Sequence, residues 1–130
     1  PGLGHLNVTT KMHPEKRLAQ VTGTYLPTGD PIRGYEIHIG ATDGPDCARG
    51  WLSIQGQMAG AASPSDRVRG CYLHGVFAAD AARAAMLAQL GAIASGENWD
   101  AGIDTTLERL ADHLATHLDT GAILGLAAKI

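Results

Sequence analysis

The feature that most constrains the fold is a change of sequence pattern at Phe77. Before it, short runs of β-type residues alternate with turns of Gly, Pro and Asp, whereas the chain after it is rich in Ala, Leu and charged residues. Parallel strand pairs need a connection of about a dozen residues or more, and the turns before Phe77 are too short for that. We therefore predict a β-rich part over 1–77 with mostly antiparallel strands, and a helical part over 78–130.

Five strands are predicted in the first part, separated by clusters of turn-forming residues. The predicted strands cover Leu6 to Met12, Arg17 to Tyr25, Ile32 to Ile39, Trp51 to Gln57, and Val68 to Leu73. The stretch from Ala61 to Asp66 is predicted to be a mobile loop.

Two helices are predicted in the second part. Asp80 is the expected N-cap of the first helix, which runs to Leu90, and Asp104 is the expected N-cap of a second helix that runs to about Asp119. Apolar residues of the second helix recur at helical spacing and predict one inward-packing stripe, which consists of Leu107, Leu110, Ala111, Leu114 and Leu118.

Composition limits the domain organisation and the classes of partner. With 130 residues, 45% of them apolar, the chain can bury one core and forms one domain or part of one. The net charge of −3 comes without a basic stripe, so nucleic acid is not an expected partner. No signal-peptide pattern opens the sequence, and no apolar run approaches the ~18 residues of a membrane span, so we predict a cytoplasmic protein without membrane contact. Because the chain starts at Pro1 without Met, it is predicted to be a piece of a longer polypeptide.

Two glycine-bounded segments carry the residues best suited to chemistry. The first, 34–40, reads Gly-Tyr-Glu-Ile-His-Ile-Gly, and the period of two in a strand puts Glu36 and His38 on the same face. The second, 69–77, reads Arg-Gly-Cys-Tyr-Leu-His-Gly-Val-Phe and places His74 between a β-type run and a glycine before a predicted helix. A histidine at such a place can face a cleft and act as a general base, or it can be a structural residue at a strand end.

Together the two segments resemble the C-terminal part of the glutamine amidotransferase domain of the cobyric acid synthase family, amidating ligases of cobalamin biosynthesis. The resemblance runs from about Gly2 to about Leu90 and includes segments 2–6 and 15–18. It implies the α/β fold class, as the C-terminal portion of a flavodoxin-like class I glutamine amidotransferase domain over 1–130. Short, mostly antiparallel strands would precede C-terminal helices in that fold.

The resemblance also implies a site. His74, in Tyr-Leu-His-Gly, would be the base that activates a cysteine nucleophile for the hydrolysis of glutamine. No residue of this chain matches the family's nucleophile, so that cysteine is expected upstream of Pro1. Many related enzymes carry an acid two residues after the histidine, where this chain has Val76. Glu36 is the best local candidate for the acid that orients His74, and its alternative role is to bind backbone groups at the end of the sheet.

Other candidate residues are weaker. His38 and Tyr72 are predicted to line a pocket and contact substrate, and metal binding by His38 is not favoured because no third ligand has suitable spacing. Cys71 lies three residues before His74 on a predicted strand, so their side chains should point to opposite faces. Cys47 lacks the context of a nucleophile. Both cysteines are predicted to be free thiols without a catalytic role.

No metal or nucleotide site is predicted in this chain. His113 and His117 have a spacing of four residues that can hold a metal, but the glutamate of a metalloprotease helix is missing, so a packing or surface role is favoured. The chain also lacks the glycine-rich patterns that bind dinucleotides or nucleotide phosphates.

For a complete family member, the resemblance implies a synthetase domain that binds ATP, Mg²⁺ and the corrinoid substrate, adenosylcobyrinic acid a,c-diamide. Ammonia from glutamine would amidate its side-chain carboxylates to give cobyric acid, and the isolated chain would be inactive. Related cobyrinic acid a,c-diamide synthases and amidotransferases of cell-wall precursors are the nearest alternatives, and Ile37 in the first segment favours the cobyric acid branch. A noncatalytic interaction module is the alternative from a different class. The ammonia route and the oligomeric state stay open.

Overall fold

The computed structural model of the protein describes residues 2–127, which fall into two compact units, Pro1–Gly96 and Glu97–Ile130. The first unit contains all the strands and one α-helix, and the second is helical. Every strand pair among the described residues is antiparallel. The predicted order of an antiparallel, β-rich part followed by helices is therefore confirmed.

The first unit is built on a five-stranded sheet with the order β4-β3-β1-β2-β7, beside which β5 and β6 form a second sheet of two strands. The strands are β1 Thr9–Tyr25, β2 Asp30–Asp43, β3 Leu52–Ile54, β4 Gln57–Ala59, β5 Ala61–Ala62, β6 Arg69–Gly70 and β7 Leu73–His74. A 3₁₀-helix, Pro45–Arg49, follows β2, and helix α1, Asp80–Gln89, follows β7.

The long hairpin of β1 and β2 differs from the short strands expected. The predicted strands Leu6 to Met12 and Arg17 to Tyr25 are joined in one strand, whose pairing with β2 is irregular between Met12 and Arg17. Pro14 lies in this interval and cannot donate a backbone hydrogen bond, so the extra residues bulge while the strand continues.

The predicted strand from Trp51 to Gln57 is divided into β3 and β4. Gln55 and Gly56 both have positive φ, 51° and 79°, which is the conformation of a two-residue hairpin turn. The expected mobile loop from Ala61 to Asp66 is also wrong at its start, because Ala61, Ala62 and Ser63 are buried and β5 pairs with β6.

The core of the first unit lies where β1, β3, β7 and α1 meet. Tyr25 and Leu52 are fully buried, and the ring of Tyr25 meets that of Trp51 edge to face, with 6.2 Å between ring centroids. Val76 and Ala82 belong to the same core. Helix α1 starts one residue earlier than expected: Ala79 is at the N-cap position, and Asp80 begins the helix itself.

The second unit contains α2, Trp99–His117, and α3, Thr120–Gly125. The predicted N-cap at Asp104 is wrong, because α2 begins earlier, where the side chain of Asn98 accepts a hydrogen bond from the Ala101 amide at 2.8 Å. Asp119 caps α3 instead of ending α2. The stripe expected to pack inward is exposed: Leu107 is 57%, Leu110 50%, Leu114 40% and Leu118 49% accessible. No helix within residues 2–127 is long and apolar enough to cross a membrane.

Candidate functional site

His74 ends the short strand β7 and is exposed at the surface of the first unit. Its neighbour Leu73 is buried in the core, and alternation along the strand turns His74 the other way. Gly75 follows with φ of +83°, a conformation that L side chains rarely adopt, and Val76 then returns to the core. The buried residues Leu73 and Val76 thus hold the backbone on both sides of His74, and its imidazole is accessible.

Strand β7 is held against β2 by a close backbone approach at Gly34. Tyr35 pairs with His74 and Glu36 pairs with Leu73. A Cβ atom on Gly34 would lie 2.0 Å from the carbonyl oxygen of His74 and 2.9 Å from Cδ1 of Leu73. Since no side chain fits at that distance, the first glycine of segment 34–40 is what allows the two strands to meet here.

Tyr35 is the direct neighbour of the His74 ring. The two rings are stacked, with 4.8 Å between their centroids and 7° between their planes. The sequence did not identify Tyr35 as a candidate, because neither segment alone reveals the strand register that places Tyr35 opposite His74. Its place in the segment that carries Glu36 and His38 is the one signal that could have found it.

The structure does not bring Glu36 to His74. Glu36 pairs with Leu73, so its side chain lies on the sheet face opposite to that of Tyr35 and His74. There it accepts a hydrogen bond from Nε of Arg17 on β1, and only 12% of its side chain is exposed. This geometry contradicts the expected role of Glu36 as the acid that orients His74, because the sheet separates the two groups.

His38 and Tyr72 do lie together, but away from His74. Their rings stack at 3.9 Å between centroids, and Nδ1 of His38 is 2.7 Å from the carbonyl oxygen of Gly40. The hydroxyl of Tyr72 shares a hydrogen bond with Thr42. Because His38 follows Glu36 by two residues, this pair is on the Glu36 face, as the spacing predicts. Contact of these residues with a substrate at His74 is therefore not supported.

Both cysteines border a pocket of about 430 Å³ next to Tyr72. Both are free thiols, as predicted, and each donates a hydrogen bond to a carbonyl: Cys47 to Thr42 at 3.9 Å and Cys71 to Leu73 at 3.7 Å. Burial raises the pKa of Cys71, which lowers the fraction present as thiolate. The environment of Cys71 therefore disfavours its thiolate and does not activate it as a nucleophile.

The two histidines of α2 contact each other. The rings of His113 and His117 are 4.4 Å apart between centroids and inclined at 52°. Among the side chains of residues 2–127, no group of three or more His, Cys, Asp or Glu is arranged to hold a metal ion.

Comparison with known proteins finds cobyric acid synthases that match nearly the whole chain. A cobyric acid synthase of Cereibacter sphaeroides is 56% identical over 126 residues, which cover 97% of this chain and 26% of that protein. A cobyric acid synthase of Rhodobacter capsulatus is 54% identical over 127 residues, covering 98% and 26%, and that of Bradyrhizobium diazoefficiens is 46% identical with the same coverage. The chain thus spans about a quarter of the length of these relatives. No solved structure matches it.

The family match covers the part of the chain that carries both glycine-bounded segments. Residues 1–82 match the family described as the CobB/CobQ-like glutamine amidotransferase domain. This range includes the hairpin of β1 and β2, strand β7 and the exposed His74. The chain therefore belongs to the CobB/CobQ-like glutamine amidotransferase domain family.

Proposed function

We propose that this chain is the histidine-bearing part of the glutaminase domain of a cobyric acid synthase, and that His74 is its general base. The observation that carries the proposal is the exposed imidazole of His74, held at the end of β7 by the buried residues Leu73 and Val76. It lies within the range that matches an amidotransferase family, and the relatives named above are cobyric acid synthases.

In this proposal the cysteine nucleophile comes from the part of the polypeptide outside residues 1–130. His74 accepts the proton of the cysteine thiol, and the thiolate attacks the side-chain amide carbon of glutamine. The imidazolium then donates its proton to the leaving nitrogen, so that ammonia departs and a thioester remains. Water, deprotonated by the same imidazole, hydrolyses the thioester to glutamate. Position 76 is a valine, which has no acidic group, and Glu36 lies on the other face of the sheet, so the proposal gives neither residue the role of an orienting acid.

ATP and Mg²⁺ belong, in this proposal, to a synthetase domain elsewhere in the polypeptide. That domain would activate the side-chain carboxylates of adenosylcobyrinic acid a,c-diamide, and the ammonia released at His74 would amidate them. We place the enzyme in the cytoplasm, where cobyric acid would be its product. The names of the relatives favour this acceptor over cobyrinic acid or a cell-wall precursor.

The test uses the full-length polypeptide with the substitution His74→Ala. We expect glutamine hydrolysis to fall by about 10²-fold or more, which is the usual contribution of a general base, while amidation with free ammonia continues. His113→Ala removes an exposed imidazole from α2 and serves as the matched control, with parental activity expected. Parental glutamine hydrolysis in His74→Ala would show that the base is another residue, and a noncatalytic role for this segment would then be favoured.

A further inference from the structure

The ring of Tyr35 stacks on the imidazole of His74, the candidate base. The two residues are direct partners across β2 and β7, so their side chains leave the sheet on the same face. The planes of the rings differ by only 7° at a centroid separation of 4.8 Å. Tyr35 is itself 46% exposed, so its ring borders solvent together with the imidazole.

A general base must be held in one orientation, and neither position considered for an orienting acid within residues 2–127 serves His74 in the structure. In a triad, an acid bonded to the second ring nitrogen fixes the plane of the imidazole. Here Val76 is a core residue, and Glu36 is paired with Arg17 on the opposite face. Buried Leu73 and Val76 fix the backbone on either side of His74, but they do not fix the rotation of its imidazole.

We propose that Tyr35 is the positioning residue of His74, and that its ring face fixes the plane of the imidazole in place of an orienting acid. The inference rests on the proposed function and adds to it a contact within this chain that keeps the imidazole aligned with the cysteine. The flat contact requires an aromatic ring at position 35, but the phenolic hydroxyl lies at the ring edge and is not part of the stacked face. Rotation of the imidazole about its side-chain torsions would break the stack.

The test compares three variants of the full-length polypeptide. Tyr35→Leu keeps an apolar side chain without a ring, Tyr35→Phe keeps the ring, and Ile37→Ala is the matched control, because Ile37 is on the same strand and face and is 38% exposed. For Tyr35→Leu we expect kcat for glutamine hydrolysis to fall about three- to tenfold, the factor that corresponds to one aromatic pair. The KM for glutamine and the amidation with free ammonia should stay at parental values.

Recovery of kcat to within about twofold of the parent in Tyr35→Phe, with parental kcat in Ile37→Ala, would support the stack as the cause. Parental kcat in Tyr35→Leu would overturn the inference, as would an equal loss in Tyr35→Phe, which would assign the effect to the hydroxyl. An equal loss of ammonia-dependent amidation would assign it to folding and overturn the inference as well. His74→Ala, assayed in parallel, separates the positioning role of Tyr35 from the proposed function. If His74→Ala is inactive while Tyr35→Leu has the parental kcat, only the positioning role is refuted.

Discussion

The hydroxyl of Tyr25 joins three elements of the first unit, which makes Tyr25→Phe an informative substitution. The ring is fully buried, and its hydroxyl donates to Oε1 of Gln89 on α1 at 2.9 Å and accepts from Nη1 of Arg69 on β6, also at 2.9 Å. Phenylalanine keeps the ring and its packing against Trp51, so the substitution removes the two hydrogen bonds and little else.

The size of the effect follows from the two partners. A neutral hydrogen bond contributes about 0.5–1.5 kcal/mol and one to a charged group about 1.5–3 kcal/mol. Hydrogen bonding to Asp66, and to a smaller extent to Tyr25, raises the pKa of Arg69, so that the guanidinium remains charged. In Tyr25→Phe, Arg69 still forms its salt bridge with Asp66 and still lies 5.7 Å from the centroid of the Trp51 ring. In addition, 19% of its side chain is open to water. We therefore expect a net loss near the lower end of the sum, about 2 kcal/mol of unfolding free energy.

Urea denaturation followed by tryptophan fluorescence measures this loss. With a slope of about 1–1.5 kcal/mol per molar, the midpoint should fall by roughly 1.3–2 M at constant slope. Tyr35→Phe, at a position 46% exposed, is the matched control and should change the free energy by less than about 0.5 kcal/mol. An unchanged midpoint in Tyr25→Phe would refute the reasoning, because it would show that the buried hydroxyl contributes nothing to stability.

Two other predictions concern the neighbourhood of β7. Because burial raises the pKa of Cys71, its alkylation by iodoacetamide at pH 7 should be slower in the folded protein than in urea, and should accelerate as the pH rises above 9. Mass spectrometry of the labelled peptide measures the rate, and equal rates in the folded and unfolded protein would contradict the burial. Gly34→Ala should destabilise the protein by about 1–3 kcal/mol, since its Cβ would lie 2.0 Å from the His74 carbonyl oxygen. The control, Gly102→Ala in α2, meets nothing within 4 Å and should be neutral or stabilising, so equal melting temperatures for the two variants would contradict the close approach.

The sequence was sufficient to predict the antiparallel, β-rich part and the shared face of Glu36 and His38. Both depend on local pattern, namely turn residues and the alternation of side chains within one strand. Whether Glu36 or Tyr35 lies beside His74 depends instead on the register in which β7 pairs with β2. That register is set by Gly34 and by the burial of Leu73, which are tertiary contacts that alternation within one strand does not encode.

Local pattern also predicts the helical part only in part. The sequence predicts the N-cap at Asp104, whereas the helix begins after Asn98, which is a residue type of similar N-cap preference. The apolar stripe around Leu107 and Leu110 was correctly identified as one side of a helix, but periodicity states only that such residues share a side. It does not state that a neighbour covers them, and here they are exposed.

The alternation along β2 makes this segment more sensitive to changes of length than to changes of residue. The hairpin turn between Tyr25 and Asp30 sets the pairing of β1 with β2, and each step of one residue exchanges the two faces of the sheet. A shift of β2 by one residue, which a single deletion in that turn would favour, would bring Tyr35 into the place of Gly34 against the carbonyl oxygen of His74, where no side chain fits. Natural variants of this domain should therefore differ freely in side chains at the turn while preserving its length.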